Sequence, residues 1–226
     1  MENTITLPAI TKDDVRKTVD ELINIDKILN STTYLTIIAL RKKSFTIMRS
    51  LNPIMHQICD CLIIDANIGA ITLTNFFIER VLKLAIILKE GNGKTYNEDK
   101  PIDQVFKDEI DEFDDKEMEQ SINKAKRICV ITKEEAEMLK EFRKKYRNSF
   151  SHANTQQILD GVTTKIYKAS LANPTDIEEE VVNLSTTPLF QEWGLPQYCK
   201  TKSFNYFIET FAIANKIEER LKILYE

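Results

Sequence analysis

The sequence predicts an all-α protein, and three observations carry this prediction. The 226-residue chain contains five glycines and six prolines, so the residues that interrupt helices most strongly are scarce. Long stretches rich in Leu, Ile, Lys and Glu lie between them, and their apolar residues recur at helical spacing. The chain is also long enough for one sizeable core. We therefore expect a single domain over residues 1–226, built as a helical bundle.

The N-terminal half consists of successive helical stretches. One helix is predicted from Thr11 to about Ile28. A second covers about residues 34–51 and stops before a proline, which fits the first turn of the next helix. The chain from Pro53 to Glu90 is apolar on more than one face, which indicates a central helix or two consecutive helices with a bend at Gly69. The sequence Gly91-Asn92-Gly93 is a strong stop signal.

Helical spacing returns over residues 101–128, where the polar faces are heavily acidic. Thr132 and Glu135 form the pattern of a capping box, in which a hydroxyl and a carboxylate lie three residues apart at a helix start. The helix that follows carries apolar residues toward the core as far as Tyr146. A last helix is predicted from about Ser203 to Tyr225, and we expect it to complete the bundle.

The segment 154–200 differs in character from the rest of the chain. It contains three of the six prolines and the single tryptophan. Residues 162–167 alternate between polar and apolar side chains, as a short strand does. We therefore expect an irregular insertion before the last helix, with room for a small hairpin. Its aromatic side chains either stack on unpaired bases or anchor the segment to the core; they are Phe190, Trp193 and Tyr198.

The composition excludes several classes of protein. The net charge of −4 argues against a protein that coats nucleic acid along its whole surface, but it leaves room for a local basic patch. Charged residues interrupt every long apolar stretch, and the N-terminus lacks the pattern of a signal peptide, so we expect a cytoplasmic protein without a membrane anchor. The cysteines and histidines do not show zinc-ligand spacing, and the acidic run at 108–115 lacks the glycine of a Ca²⁺ loop. We expect no metal site and no cofactor.

The hexad Arg147–His152 combines two groups suited to phosphate chemistry. An imidazole moves protons near neutral pH, and a guanidinium grips a phosphate with two parallel hydrogen bonds. On a straight α-helix, residues five apart are rotated by about 140°, so Arg147 and His152 cannot both reach one phosphate. Either the helix bends or ends within the hexad, or two copies of the chain pool their side chains. Asn148 shares a helix face with His152 if the helix continues.

The pattern Arg147-Asn148-x-x-x-His152 resembles the R-x4-6-H signature of the HEPN superfamily, including the asparagine that commonly follows the arginine. Residues 132–143 are similar to the helix that leads into this signature, and residues 75–82 are similar to the family's central helix. The resemblance implies a four- to five-helix bundle that dimerises with its two motifs facing each other. It implies Arg147, Asn148 and His152 as the catalytic set of a metal-independent RNase.

The reaction implied is cleavage of RNA by its own 2′-OH. An imidazole takes the 2′ proton or protonates the 5′ leaving oxygen, and the arginine stabilises the charge that develops on the phosphorane oxygens. The products carry a 2′,3′-cyclic phosphate or a 3′-phosphate and a 5′-OH, and DNA is not cut. A RNase of this kind belongs to bacterial antiviral defence or toxin–antitoxin control, so an antitoxin or defence-system protein is an implied partner. Asn154 stands where one subgroup has a regulatory tyrosine, so we do not expect that regulation.

Two other interpretations of the motif stay open. The first is a non-catalytic HEPN-like module that binds RNA or a nucleotide and scaffolds a partner. The second is an ordinary basic helix end, with His152 as a surface cap and Arg147 paired to a nearby acid.

Four positive charges in five residues lie directly before or within the motif. They form an electrostatic funnel for an RNA backbone, or they are a solvated helix end whose cations suit the helix dipole. Glu79 interrupts the predicted central helix and either supports Arg147 or lies at the rim of the bundle. The predicted RNA-binding residues are Arg143, Lys144, Lys145 and Ser151.

Overall fold

The computed structural model of the chain describes residues 12–13, 17, 19–20, 23, 31–92, 94, 101, 104–170 and 173–225, without the side chains of 170 and 173–176. The helices are α1 (Thr32–Arg41), α2 (Asn52–Ile63), α3 (Asn67–Glu90), α4 (Lys107–Phe113), α5 (Met118–Arg127), α6 (Lys133–Phe142), α7 (Ser149–Ser151), α8 (Thr155–Ile158) and α9 (Pro188–Tyr225). A 3₁₀ turn covers Arg49–Leu51, a π-helical turn covers Arg143–Asn148, and two strands form β1 (Thr163–Ser170) and β2 (Asn173–Asn183). The predicted mainly helical class is confirmed, whereas the helix predicted from Thr11 falls largely outside the described residues.

Helix α3 lies at the centre of the core. It packs against α9 along much of its length, and against α2, α4, α5 and the π-helical turn. An apolar helix surrounded in this way loses the one-sided pattern of a surface helix, which is why its sequence is apolar on several faces. The ring of Phe77 lies 6.0 Å from that of Phe45 and 6.4 Å from that of Phe207. These aromatic contacts join α3 to α9 and to the loop that follows α1.

The predicted bend at Gly69 is wrong. The break between α2 and α3 comes at residues 64–66, and Gly69 lies inside α3. Asp65 adopts a left-handed φ of 57°, and its carboxylate accepts a hydrogen bond of 2.8 Å from the Tyr34 hydroxyl. A Cβ at Gly69 would meet the sulfur of Cys61 at an ordinary 3.5 Å, so no backbone requirement explains this glycine.

The second predicted helix, over residues 34–51, is also shorter in the structure. Helix α1 ends at Arg41, and the next helical turn begins at Arg49. The buried carboxylate of Glu218 on α9 holds the intervening loop, because it accepts hydrogen bonds from the backbone N–H groups of Thr46, Ile47 (2.7 Å) and Met48 (3.1 Å). These backbone donors therefore find a side-chain acceptor from the other end of the chain instead of continuing a helix.

The irregular insertion predicted over 154–200 is partly wrong. Helix α9 begins at Pro188, and not near Ser203, and it continues through Pro196. Gly194 lies inside this helix. A Cβ at this position would come within 2.9 Å of a Leu184 methyl carbon and 3.1 Å of a Leu159 methyl carbon, so a larger residue would clash there. The glycine thus permits close packing of α9 on the segment before it, and it does not mark a helix end.

The small hairpin expected in this region is present. Strands β1 and β2 pair antiparallel, with Tyr167 opposite Glu179 and Lys165 opposite Val181. Ile166 and Val182 are half-buried on one face, whereas the other face leaves its apolar side chains exposed. Those exposed side chains are Tyr167, Ile177 and Val181.

Within the residues that the structure describes, no helix is both long enough and apolar enough to span a bilayer. Helix α9 has the required length, but polar and charged side chains recur throughout it.

Candidate functional site

The helix that leads into the motif starts at a capping box, as predicted. The Thr132 hydroxyl accepts the Glu135 N–H (3.2 Å), and the Glu135 carboxylate accepts the Thr132 N–H (2.9 Å). Arg220 of α9 donates to both carboxylate oxygens of Glu135, at 2.7 and 3.0 Å. Burial alone would raise the pKa of Glu135, but the hydrogen bonds from Arg220 and Thr132 outweigh it and lower the pKa below its ordinary value. This contact fixes the start of α6 against α9.

The helix changes its hydrogen-bonding pattern as it enters the motif. Helix α6 passes into the π-helical turn Arg143–Asn148 and then into the short α7. A π-helical turn has a wider hydrogen-bonded ring than an α-helical turn and is often found at functional sites. The Ser149 hydroxyl is buried and donates to the Lys144 carbonyl in this turn (3.4 Å).

The helix then ends inside the hexad. His152 is the C-cap residue of α7, and Ala153, which follows it, adopts a left-handed φ of 48°. The N–H of Asn154 donates to the Ser149 carbonyl (2.9 Å), and the N–H of Ala153 donates to the Phe150 carbonyl (3.2 Å). These two bonds form a Schellman motif. Of the two arrangements that the sequence left open, a helix that ends within the hexad is therefore present in the single chain.

The motif side chains differ in their surroundings. Arg147 is about one-third exposed, and its Nε lies 3.5 Å from Oε2 of Glu79. Asn148 is half-buried, and the His152 imidazole is exposed beyond the helix end. The His152 N–H donates to the Asn148 carbonyl (3.3 Å), so these residues are one turn apart. Within the described residues, no hydrogen bond or ion pair joins the side chains of Arg147, Asn148 and His152 to one another.

Glu79 contacts Arg147, as one of its two interpretations predicted, and connects this arginine to a charged groove on α3. The other oxygen of Glu79 lies 3.7 Å from Nζ of Lys83, which donates to the Asp114 carbonyl at 2.5 Å. Arg80 pairs with the carboxylate of Asp114. The groove has a volume of about 370 Å³ and is lined by Phe76, Glu79, Arg80, Lys83 and Asp114.

An aromatic cluster packs against the buried side of the helix that carries the motif. The buried ring of Tyr146 stacks on Tyr206 at 4.0 Å, and the Tyr206 hydroxyl donates to Oδ1 of Asn75 (2.8 Å). Burial raises the pKa of Tyr146 and that of Tyr198, so both phenols stay protonated near neutral pH. Sequence reasoning missed this support, although Tyr146 follows Phe142 at helical spacing and α9 carries aromatics on the same face.

The basic run before the motif is only partly available to a ligand. Arg143 forms an ion pair with Glu119 (2.9 Å), which neither interpretation of the basic run predicted. Lys144, Lys145 and Ser151 are exposed, and Nζ of Lys145 lies 5.5 Å from the centre of the Tyr146 ring. The structure therefore leaves two lysines of the run facing solvent next to the motif.

The three aromatic residues at 190–198 have different environments. Tyr198 is buried, Phe190 is half-buried, and Trp193 has an exposed fraction of 63% beside a groove of about 530 Å³. Anchoring to the core is therefore the role of Tyr198, as one of the two interpretations predicted.

No group of three His, Cys, Asp or Glu side chains in the described ranges is arranged to hold a metal ion. All four cysteines are free thiols. Burial raises the pKa of Cys59 and Cys199 to about 11, so these thiols stay protonated and unreactive near neutral pH. Comparison of the chain with protein-family models, with curated proteins and with solved structures found no match.

Proposed function

We propose that the protein is a metal-independent endoribonuclease of the HEPN type, with a catalytic site built from Arg147, Asn148 and His152. The observation that carries the proposal is that the helix ends within the motif, so that these residues lie at its C-terminal end. There the imidazole is open to solvent and the guanidinium is held by Glu79. A phosphate can approach such a site without displacing core side chains.

The chemistry uses the nucleophile that RNA already contains. One imidazole accepts the proton of the 2′-OH as its oxygen attacks phosphorus, and a proton returns to the 5′ oxygen as the P–O5′ bond breaks. The guanidinium of Arg147 donates hydrogen bonds to the nonbridging oxygens, where negative charge develops. Asn148 orients the imidazole or holds a phosphate oxygen. The products are a 2′,3′-cyclic phosphate and a 5′-OH.

A homodimer would complete the site. In the single chain Arg147 and His152 make no direct contact within the described residues, and Glu79 draws the guanidinium toward α3. A second copy, related by a twofold axis, would supply its own imidazole opposite this guanidinium. The resemblance to HEPN proteins supports the same arrangement and a cytoplasmic setting in bacterial defence or toxin–antitoxin control, with an antitoxin or defence-system partner.

The first test incubates the purified protein in EDTA with a mixed RNA pool and maps the ends of the fragments. We expect cleavage by the wild-type chain, fragments that end in cyclic phosphate, and loss of at least about a hundredfold in rate for His152→Ala, because general acid–base catalysis contributes at least that much. His56→Ala is the matched control, since His56 is the other histidine and lies on α2. Cleavage that is equal in wild type and His152→Ala would refute the assignment.

The runner-up function is a non-catalytic module that binds RNA or a nucleotide. The observation that favours it is that, among the described residues, no hydrogen bond or ion pair joins Arg147 to His152 in the single chain. Such a module would leave RNA intact in the same assay and would keep its affinity for RNA in His152→Ala, whereas Arg147→Ala would weaken binding.

A further inference from the structure

Phe76 is the most exposed apolar side chain of α3. Its exposed fraction is 58%, although Asn75 and Phe77 on either side of it are buried. The ring borders the groove of about 370 Å³ that also contains Glu79, Arg80, Lys83 and Asp114. That volume lies within the range of about 300–1,000 Å³ that is typical of ligand sites.

The surroundings of the ring decide what kind of ligand fits it. Every other residue that lines the groove is charged, and Thr72, one turn before Phe76, is polar and exposed. The cores of protein–protein interfaces are depleted of Lys, Glu and Asp and enriched in contiguous apolar surface. The groove carries two cations, Arg80 and Lys83, and two carboxylates, Glu79 and Asp114. A single aromatic ring beside cations is typical of sites where an unpaired base stacks and its phosphates meet the cations.

The groove is joined directly to the proposed catalytic site. The carboxylate of Glu79 lines the groove, and its Oε2 also lies 3.5 Å from Nε of Arg147. Phe76 lies three residues before Glu79 on the same helix, so its ring is on a neighbouring part of the same helix surface. Arg80 is about one-third exposed and keeps donors free beyond its pair with Asp114, because a guanidinium has five N–H groups.

We propose that Phe76 is a stacking platform for an unpaired base of the RNA, next to the phosphate that Arg147 binds, and that Arg80 contacts the neighbouring phosphate. The inference rests on the proposed function in that its ligand is single-stranded RNA. Phe76 positions the strand and takes no part in proton transfer. Because stacking uses the face of any base, this subsite selects unpaired over paired RNA and shows little preference among bases.

The test measures binding of a short 2′-O-methyl RNA, which has no free 2′-OH and stays intact. Loss of one base–aromatic stack corresponds to about 5- to 150-fold weaker binding for Phe76→Ala. Phe76→Trp should bind at least as tightly as wild type, and Phe76→Leu should bind as weakly as Phe76→Ala, because leucine is apolar but has no π-face. The matched control is Tyr167→Ala, which removes an aromatic ring with an exposed fraction of 68% from the hairpin.

A scan with single abasic nucleotides makes the assignment specific. Removing the base that stacks should weaken binding to wild type at one position and should leave the affinity of Phe76→Ala unchanged there. Affinity of Phe76→Ala equal to wild type would overturn the inference. So would a change in oligomeric state of Phe76→Ala in sedimentation analysis, since the ring would then be a contact between protein chains.

The result also separates the inference from the proposed function. Binding that depends on Phe76, together with no cleavage of unmodified RNA, would uphold the stacking platform and refute the ribonuclease. Cleavage by wild type with unchanged binding and cleavage by Phe76→Ala would refute the platform alone. Absence of binding by wild type would refute the platform, and it would refute both proposals only together with absence of cleavage of unmodified RNA.

Discussion

Ala153 occupies a left-handed conformation, with a φ of 48°, directly after the motif histidine. An L-amino acid with a Cβ is strained there, and glycine is the usual residue at this position of a Schellman motif. Asp65 and Cys129 occupy the same position after α2 and α5, also with positive φ. The chain therefore ends several helices without glycine, and the strain at Ala153 lies beside the proposed catalytic imidazole.

Replacing Ala153 with glycine should raise the free energy of unfolding by about 1 kcal/mol, because it removes this strain at a modest cost in chain entropy. Urea denaturation measures the change. Cys129→Gly is the matched control, since the geometry is the same and the site lies away from the motif, and it should give a similar gain. A loss of stability in Ala153→Gly would show that the left-handed conformation is not strained.

The residues of the candidate site were only partly predictable from sequence. The spacing of Arg147 and His152 left a helix end within the hexad as one of two possibilities, and Glu79 had two interpretations, of which the contact with Arg147 is present. Tyr206 and Asn75 were missed because they are 131 positions apart in the chain, and no local pattern signals their hydrogen bond. The pairing of Arg143 with Glu119 depends equally on tertiary packing.

At the scale of elements, helix ends were the least predictable feature. Gly69, Gly194 and Pro196 suggest interruptions, but all three lie inside helices. Asp65 marks the real break between α2 and α3, and its signal is weak because aspartate is common elsewhere. The capping box at Thr132 was predictable because both of its hydrogen bonds are local. Helix ends were thus predictable where neighbouring residues provide the hydrogen bonds, and they were not predictable where packing against α9 decides them.

The contact between Glu135 and Arg220 makes stability depend on pH. The pKa of Glu135 is lowered in the folded state, so the contact contributes fully above the ordinary glutamate pKa of about 4.3 and is lost as the pH falls through the lower, folded value. Glu135→Gln should lower the free energy of unfolding at neutral pH by about 2 kcal/mol, since it removes charge-assisted hydrogen bonds. The difference in free energy of unfolding between wild type and Glu135→Gln should be smaller at acid pH.

Chemical denaturation across the acid range measures this effect. Glu137→Gln is the control, because Glu137 is exposed on the same helix and lies at 4.0 Å from Lys133. That substitution should change stability by less than about 0.5 kcal/mol. An equal deficit of Glu135→Gln at neutral and acid pH would contradict the linkage.

At the scale of the whole molecule, the proposed homodimer makes a prediction that a single chain cannot satisfy. Arg147→Ala and His152→Ala chains should each be inactive alone. Mixed into heterodimers, they should regain activity, because one of the two composite sites then contains an intact arginine and an intact histidine. The measurement is RNA cleavage by heterodimers isolated with two different affinity tags. Verified heterodimers without activity would contradict a site in which one arginine and one histidine suffice.

Helix α9 also has a consequence for synthesis. It supplies Tyr206 beneath the motif and Glu218 for a loop 172 positions earlier, and it packs along the central helix α3. A ribosome makes the motif well before it makes this helix, and long-range contacts form late in folding. The growing polypeptide therefore carries the motif without the stack of Tyr206 on Tyr146 until α9 emerges from the exit tunnel. If the proposed ribonuclease activity needs this packing, we expect it to arise only after α9 has docked on α3.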